Sequence, residues 1–347
     1  MKIAIVGTRG IPNRYGGFEQ FAQNLAIELN KIGMEVVVYS PSYRNDVFDN
    51  WKGIKIRKIK FFTFFGSFYH FVYDFLSIKD AIKHKNDLIF ICGYVTALPA
   101  ILWYGKYNSI MLVHTDGFEW KRKKWNKFVR ILIKYSEKIL VKRKIQLVTD
   151  HNIIQKYFYE KYNRIVHCIA YGCTLDFDFK LITDKYFLII ARNEKENQIE
   201  LVLESFISSK IDCELWIFTN KPIASKYNDN NKIKVWLNVY DESLLNNLRF
   251  NAQAYIHSYT VGGTNPSLIE AMGHCKIIIA FDNEFHREIL ANNAFYFKNK
   301  HELIEIFRKI QQSEISFRDS YKKIIQEKYL WSNIANQYVS IFKTLKQ

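Results

Sequence analysis

The run Val261-Gly262-Gly263-Thr264-Asn265-Pro266-Ser267-Leu268-Ile269-Glu270-Ala271-Met272-Gly273 brings together residue types that suit a phosphate and one that suits hydroxyls. It follows an apolar, strand-like stretch, Ala254-Tyr255-Ile256-His257, and leads into an apolar helical one. Two glycines let the backbone approach a ligand closely. Asn265 is a good helix cap, and Pro266 falls at the first helical position, where a missing N–H costs nothing. A strand, a glycine turn and a capped helix start aim free N–H groups and the positive helix end at one point, which suits an anion. Glu270 lies one turn further in, placed to accept hydrogen bonds from hydroxyls beside that anion. Phosphate with hydroxyls suggests a nucleotide. Taken alone, the stretch also fits an ordinary strand–helix connection in any α/β protein.

The amino terminus repeats the theme. Lys2-Ile3-Ala4-Ile5-Val6-Gly7 reads as a short apolar strand, and Thr8-Arg9-Gly10-Ile11-Pro12-Asn13-Arg14-Tyr15-Gly16-Gly17 as a glycine-rich loop. Phe18 to Ile32 then reads as a helix, with Phe21, Leu25 and Leu29 on one face and Gly33 as its stop. Val36-Val37-Val38-Tyr39 is the next strand. This is a βαβ unit with a ligand loop at the strand's carboxyl end. No G-x-G-x-x-G follows the strand and no G-K-[ST] is present, so it is neither a dinucleotide fingerprint nor a P-loop.

Three blocks carry a resemblance: Gly7-Thr8-Arg9-Gly10-Ile11-Pro12 with Tyr15-Gly16-Gly17-Phe18-Glu19; His114-Thr115-Asp116-Gly117-Phe118-Glu119-Trp120-Lys121-Arg122; and Val261 to Ser267. Together they resemble retaining GT-B enzymes of glycosyltransferase family four. The nearest subgroup makes capsule and O-antigen polysaccharides and includes β-1,4-rhamnosyltransferases. The resemblance runs over nearly the whole chain. Two positions depart from the wider family. Where it carries Glu, seven residues, Glu, this chain has Gly262 and Glu270. Where it carries Arg, four residues, Lys, this chain has Arg192 and Asn197, with Lys195 close by.

The resemblance implies an α/β, GT-B fold of two Rossmann-like doubly wound domains with an interdomain cleft. It implies an acceptor-side domain over residues 1–178, a nucleotide-sugar domain over 179–330, and a C-terminal helix over 331–347 packing back on the first domain. Arg192 would pair with the donor diphosphate, with Lys195 in support. N–H groups from Gly263 and Thr264 through Asn265 to Ser267 would cap the leaving phosphate, and Glu270 would accept from a ribose hydroxyl. On this reading Glu270→Ala lowers donor affinity without unfolding the protein. Gly16 and Gly17 would let the first domain close over the donor. His114 and Asp116 would make donor-sugar and acceptor contacts. Either Asp116 polarises the acceptor hydroxyl or the leaving phosphate takes its proton. Glu119 and Trp120 are acceptor-binding candidates, or packing residues. No cofactor and no metal is expected, because Arg, Lys and helix N-termini neutralise the leaving diphosphate. The donor expected first is dTDP-rhamnose, with UDP-hexoses next, and the acceptor a lipid-linked glycan.

Composition agrees. A chain of 347 residues is long enough for two α/β cores, and 48% hydrophobic content excludes disorder. Cys92, Cys168, Cys173, Cys213 and Cys275 form no metal spacing, and the odd count fits a reducing cytoplasm. Met1-Lys2 leads straight into a strand, so no secretory signal is expected. Residues 1–180 hold 29 Lys and Arg against 15 Asp and Glu, a net +14; residues 181–347 hold 21 against 19, a net +2. Residues 121–144 carry 11 cations and one acid, Glu137, interleaved with apolar residues. A basic helix with an apolar face binds an anionic inner-leaflet surface or, less often, nucleic acid; a solvated outer helix reads the same. The membrane expectation, without nucleic acid, falls on Lys121, Arg122, Lys123 and Lys124, with the aromatic run Phe61 to Tyr73 as a second contact.

Leu88 to Gly105 is an uncharged run of membrane-spanning length, but Gly93 and Pro99 favour a buried strand and a short helix. From Tyr186 onward, apolar strands at 186–191, 214–218, 232–237, 254–257, 276–280 and 294–297 alternate with helices, predicting a parallel sheet covered on both faces. The break between the domains is expected near 172–184. Asp176-Phe177-Asp178 has the form of a metal-diphosphate pair but falls in the expected linker. A nucleotide-sugar epimerase or reductase would use Tyr157 and Lys161, which have the right spacing, but also needs the missing fingerprint. A nucleic-acid-binding protein would explain the charge but not the Glu270 block. A non-catalytic sugar-binding protein would explain Gly262 and Asn197.

Overall fold

The computed structural model describes residues 1–42, 49–61, 68–143, 145–175, 178–312 and 314–346. The chain forms two compact units. The first is Met1–Lys121, Trp125–Gly172 and Trp331–Gln347; the second is Arg122–Lys124 and Cys173–Leu330.

The first unit runs β1 (Lys2–Val6), α1 (Gly17–Lys31), β2 (Glu35–Pro41), β3 (Asn50–Trp51), β4 (Ile54–Ile59), α2 (Tyr69–Lys83), β5 (Leu88–Cys92), α3 (Leu98–Trp103), β6 (Met111–His114), α4 (Lys127–Val141), β7 (Gln146–Thr149), α5 (Asn152–Tyr162) and β8 (His167–Cys168). Its sheet order is β3-β4-β2-β1-β5-β6-β7-β8, parallel except at β3–β4. Strand β5 is apolar throughout, and β1 is apolar after Lys2, because both sheet faces are covered: every residue from Ile3 to Val6 and from Leu88 to Cys92 is buried. The uncharged run from Leu88 resolves into β5, a turn at Gly93 with φ +87°, and α3. Among the described residues no helix is long and apolar enough to cross a membrane.

Helix α1 starts one residue before the predicted Phe18 and ends at Lys31. Phe21, Ala22, Leu25, Ala26 and Leu29 form its buried face, and Gly33, φ +81°, follows its end. The last helix of the chain, residues 331–346, lies against that face. Phe21 is the hub: its ring lies 5.4 Å from Phe90, 5.5 Å from Tyr171, 5.6 Å from Tyr338, 5.9 Å from His114 and 6.1 Å from Trp331.

The second unit continues with β9 (Tyr186–Ile190), α6 (Ile199–Ser209), β10 (Glu214–Thr219), β11 (Ile233–Leu237), α7 (Glu242–Asn251), β12 (Ala254–His257), α8 (Pro266–His274), β13 (Ile278–Phe281), α9 (Glu284–Leu290), β14 (Phe295–Phe297), α10 (Lys300–Gln311) and α11 (Arg318–Ile324); α12 (Trp331–Lys346) is the helix that packs in the first unit. The second sheet is fully parallel, in the order β11-β10-β9-β12-β13-β14. In each sheet the chain builds outward from a first strand and then crosses back to its other side. The reversal falls between β1 and β5 in one unit and between β9 and β12 in the other. Ligand sites of open α/β sheets form at the carboxyl ends of such strand pairs.

Phe21→Ala should cost the chain about 3–5 kcal/mol, because it empties the middle of an aromatic cluster shared by α1, β5 and α12. Urea unfolding of the purified variant measures this, and an unchanged midpoint would contradict the cluster's role.

Candidate functional site

At the carboxyl edge of the second sheet, β9 ends and Arg192 follows; β12 ends and the glycine loop follows. Helix α8 starts at Pro266, and the Asn265 side chain accepts from the Ser267 N–H at 2.9 Å, as cap chemistry requires. Gly263 has φ +120°, a conformation glycine supplies. No hydrogen bond among the described residues uses the N–H of Gly263 or of Asn265. Arg192 is half-buried and Lys195 exposed, and among the described residues neither side chain has a hydrogen-bond or ion-pair partner. Cations without partners and free N–H groups at one sheet edge are an anion-binding arrangement.

Asn197, at the position where the resemblance leads one to expect Lys, is buried and structural. Its side chain donates to the Arg192 carbonyl at 2.8 Å, and its own carbonyl accepts from the Ser258 hydroxyl. One residue thus ties the Arg192 turn to the loop after β12. Gly262, where the resemblance leads one to expect Glu, is explained by packing: a Cβ added there would sit inside the Phe285 ring.

Behind the loop lies a buried network the sequence reading did not find. Arg249 of α7 is fully buried. Its guanidinium donates to Asn246 at 2.6 Å and to the Ser267 hydroxyl at 3.2 Å, and pairs with Glu270 at 2.5 Å. The Ser267 hydroxyl also meets the Tyr255 hydroxyl at 2.6 Å, and Tyr255 donates to the Ile190 carbonyl at 3.1 Å. The signal that was available is a cation at an inward helical position, three residues from Asn246 and beside buried Leu245 and Leu248.

Two expectations change as a result. Ser267 is not an open donor ligand: its N–H is capped by Asn265 and its hydroxyl belongs to the network. Glu270 is one half of a buried ion pair. Burial pushes its carboxyl up to about 7, while Arg249 pulls the other way. A neutral Glu270 would strand a guanidinium that stays charged. One Glu270 oxygen faces Arg249; the other has no partner among the described residues.

In the first unit, the loop after β1 needs glycine where the chain is tight. Gly7 has φ +84°, and a Cβ there would lie 2.6 Å from the Cys92 carbonyl oxygen. Gly10, also at φ +84°, packs on Ser40. Gly16 and Gly17 instead form the start of α1, and Gly16 is extended. Buried Glu19 accepts from the Arg9 N–H at 2.8 Å and closes the loop. Arg9 itself stacks 3.4 Å from the Tyr15 ring centre.

His114 ends β6, fully buried among Phe18, Phe21, Phe90 and Tyr171. Burial pushes its pKa down to about 3, so the ring is neutral. Its Nδ1 accepts from the Asp116 N–H at 3.1 Å, which puts the ring proton on Nε2. His114 is therefore a positioning residue, with no exposed surface for the donor-sugar or acceptor contact expected from the sequence. It holds Asp116 at φ +59°, with the carboxylate accepting from the Gly117 N–H at 2.9 Å. Asp116 is only partly buried.

Glu119 accepts from the Trp125 indole at 2.9 Å, and Trp120 is covered by Lys134 at 4.2 Å. Tyr157 and Lys161 serve Glu137: the Tyr157 hydroxyl donates to it at 2.6 Å, and Lys161 lies 3.8 Å away. The basic stretch is not one surface. Lys121, Lys123 and Lys124 are exposed, but Arg122 is buried, with Nε 4.0 Å from a Glu196 carboxylate oxygen. Burial works against the Glu196 charge, yet the backbone N–H groups of Glu196, Lys124 and Lys123 and the Arg122 charge hold its carboxyl below the usual range. Arg122 is thus removed from the expected membrane contact. Asp176 lies outside the described residues. Among those described, no three His, Cys, Asp or Glu side chains group to hold a metal ion.

Glu270→Ala should destabilise the second unit by about 3–5 kcal/mol, because it leaves the Arg249 charge buried and unpaired. This reverses the expectation that the substitution acts on donor affinity alone. The double variant Arg249→Met with Glu270→Leu should cost less than the single one in a denaturant titration. Additive losses would contradict the ion pair.

Solved structures share this architecture. Sucrose-phosphate synthase from Thermosynechococcus elongatus superposes with a TM-score of 0.82 at 13% identity, over 99% of this chain and 98% of that one. Anabaena HepE, solved in complex with UDP and glucose, gives 0.74 at 11% identity, over 99% and 100%. S. aureus TarM, as a G117R mutant with fondaparinux, alpha-GlcNAc-glycerol and UDP, gives 0.76 at 10% identity, over 98% and 99%. The fold is that of the GT-B glycosyltransferases. No curated protein sequence matches the chain. A family model does, over residues 1–174, and by that match the chain belongs to the family described as Domain of unknown function (DUF1972).

Proposed function

We propose that the chain is a nucleotide-sugar-dependent glycosyltransferase. The observation that carries this reading is the carboxyl edge of the second sheet. There the cations Arg192 and Lys195, without partners among the described residues, follow β9, and the N–H groups of Gly263 and Asn265, likewise unpartnered there, lead into α8 from β12. A nucleoside diphosphate suits that set: two acidic phosphates for the cations and the helix end, and ribose hydroxyls for the unpaired Glu270 oxygen. The GT-B neighbours solved with UDP support the choice of ligand class.

The chemistry follows from charge. As the bond from the anomeric carbon to the diphosphate oxygen breaks, negative charge grows on the leaving phosphate. Arg192, Lys195 and the loop N–H groups, fixed in place beforehand, stabilise that charge more than the ground state. The acceptor oxygen forms the new bond with retention at the anomeric carbon, and its proton passes to the leaving phosphate or to Asp116. Rhamnose from dTDP-rhamnose is the first donor to try and UDP-hexoses the second. The acceptor is a lipid-linked oligosaccharide of bacterial surface polysaccharide synthesis, met at the inner face of the plasma membrane. The charge excess of residues 1–180 supports a negatively charged surface there.

Incubation with a panel of nucleotide-sugars tests this, read by nucleoside diphosphate release and by thermal shift. Release from one of them, or transfer to a lipid-linked acceptor, is expected. Stabilisation without release would make the chain a binding protein, and no response to any would remove the assignment. Arg192→Ala should weaken productive donor use by about 1.5–3 kcal/mol, roughly ten- to a hundredfold, with the melting temperature unchanged. In a separate assay, activity should persist in EDTA; a strict requirement for Mn²⁺ or Mg²⁺ would contradict charge neutralisation by the protein alone.

A further inference from the structure

Helix α4 is turned opposite to an ordinary surface helix. Its inward side carries Ile133, Leu140 and a carboxylate, Glu137, which accepts from the hydroxyls of Tyr157 at 2.6 Å and Tyr162 at 2.7 Å on α5. Its outward side carries Phe128, Ile131, Leu132 and Tyr135, exposed to 68%, 67%, 47% and 60%. Their spacing, i, i+3, i+4 and i+7, draws one apolar stripe along the helix. Lys127, Lys134 and Lys138 are exposed on its flank, and the helix has no exposed acid. Stripes of this kind mark interaction surfaces.

A second apolar ridge lies on the same side. Right-handed crossovers from β4 to β5, β5 to β6 and β6 to β7 put α2, α3 and α4 on one face of the eight-stranded sheet. There Trp103 is 76% exposed, its ring 6.4 Å from Phe75, and Phe71, Val72, Phe75 and Leu76 line a shallow hollow.

The charge selects the occupant. Residues 121–144 carry 11 cations, and their one acid is the buried Glu137. A second copy of the chain would bring the same positive rim against itself. Anionic headgroups with acyl chains beneath them match both the rim and the stripe. We infer that α4 lies flat in an anionic bilayer surface. Phe128, Ile131, Leu132 and Tyr135 enter the acyl boundary, the flanking lysines sit at headgroup level, and Trp103 is a second anchor. This deepens the membrane part of the proposed function and rests on it. The contact moves from the basic stretch Lys121–Lys124 to the helix that follows.

Co-sedimentation of the full chain tests the inference. Vesicles of phosphatidylcholine mixed with phosphatidylglycerol should bind it, and phosphatidylcholine alone should bind it weakly. Both substituted positions of the variant Phe128→Asp with Ile131→Asp face solvent, so it should fold normally. Its partitioning should fall about tenfold or more. Ile131→Ser with Tyr135→Ser gives a milder second variant, and urea unfolding checks that both remain native. Wild-type-like binding by native variants would overturn the inference. So would no binding of the wild type to anionic vesicles, or a solution dimer that the variants dissolve. Donor turnover, measured in parallel, separates the two ideas. Lost vesicle binding with turnover intact reflects on the surface alone; absent turnover with binding intact reflects on the enzymatic reading alone.

Discussion

The second unit depends on one buried ion pair. A guanidinium enclosed in protein is tolerable only with its charge matched and its hydrogens placed. Arg249 meets both conditions through Glu270, Asn246 and Ser267, which come from α7 and α8. Tyr255 extends the same network to the Ile190 carbonyl, two residues before Arg192. The start of α8 and the end of β9 are therefore held together by one set of contacts behind them. Asn197 does the same from the front, linking the Arg192 turn to the loop after β12. On the proposed reading, Arg192 and the N–H groups of Gly263 and Asn265, without partners among the described residues, need little rearrangement to meet an anion, and low reorganisation is what electrostatic stabilisation requires.

The first unit solves a similar problem with a neutral group. His114 sits in an aromatic cage where a charged ring would be strongly disfavoured, so its imidazole acts as a plain acceptor that fixes Asp116. Glu19 closes the glycine loop in the same spirit, by accepting a backbone N–H. Because α12 completes the packing around Phe21, the last residues of the chain support the loop made by the first.

Local features were legible in the sequence and long-range ones were not. The strand Ala254–His257, the Asn265 cap and the break at Gly93 all follow from chemistry within a few residues, and the structure shows each. The pairing of Arg249 with Glu270 joins residues on separate helices and leaves no local trace beyond a cation at an inward position. Arg122 looked like part of a basic surface because its neighbours are lysines; its partner Glu196 lies far along the chain. Helix α4 shows the limit most sharply. Its periodicity states which residues share a face, but not that the inward face is the one on which Glu137 meets the hydroxyls of Tyr157 and Tyr162 beside buried Ile133 and Leu140. The same hydroxyl pairing explains why the Tyr157 and Lys161 spacing, which resembles a reductase pair, has a packing role.

The close packing of Phe285 on Gly262 couples the two positions. A side chain at position 262 needs the volume that the Phe285 ring occupies, and the ring stands at the head of α9, whose first turn is capped by Asn283 at 2.9 Å. A side chain at 262, such as the carboxylate that the resemblance leads one to expect there, therefore has to displace that ring. Moving or trimming the ring opens apolar volume beside α9, a cost that the glycine avoids. The glycine and the phenylalanine are therefore coupled: a substitution at either one changes the cost of a substitution at the other.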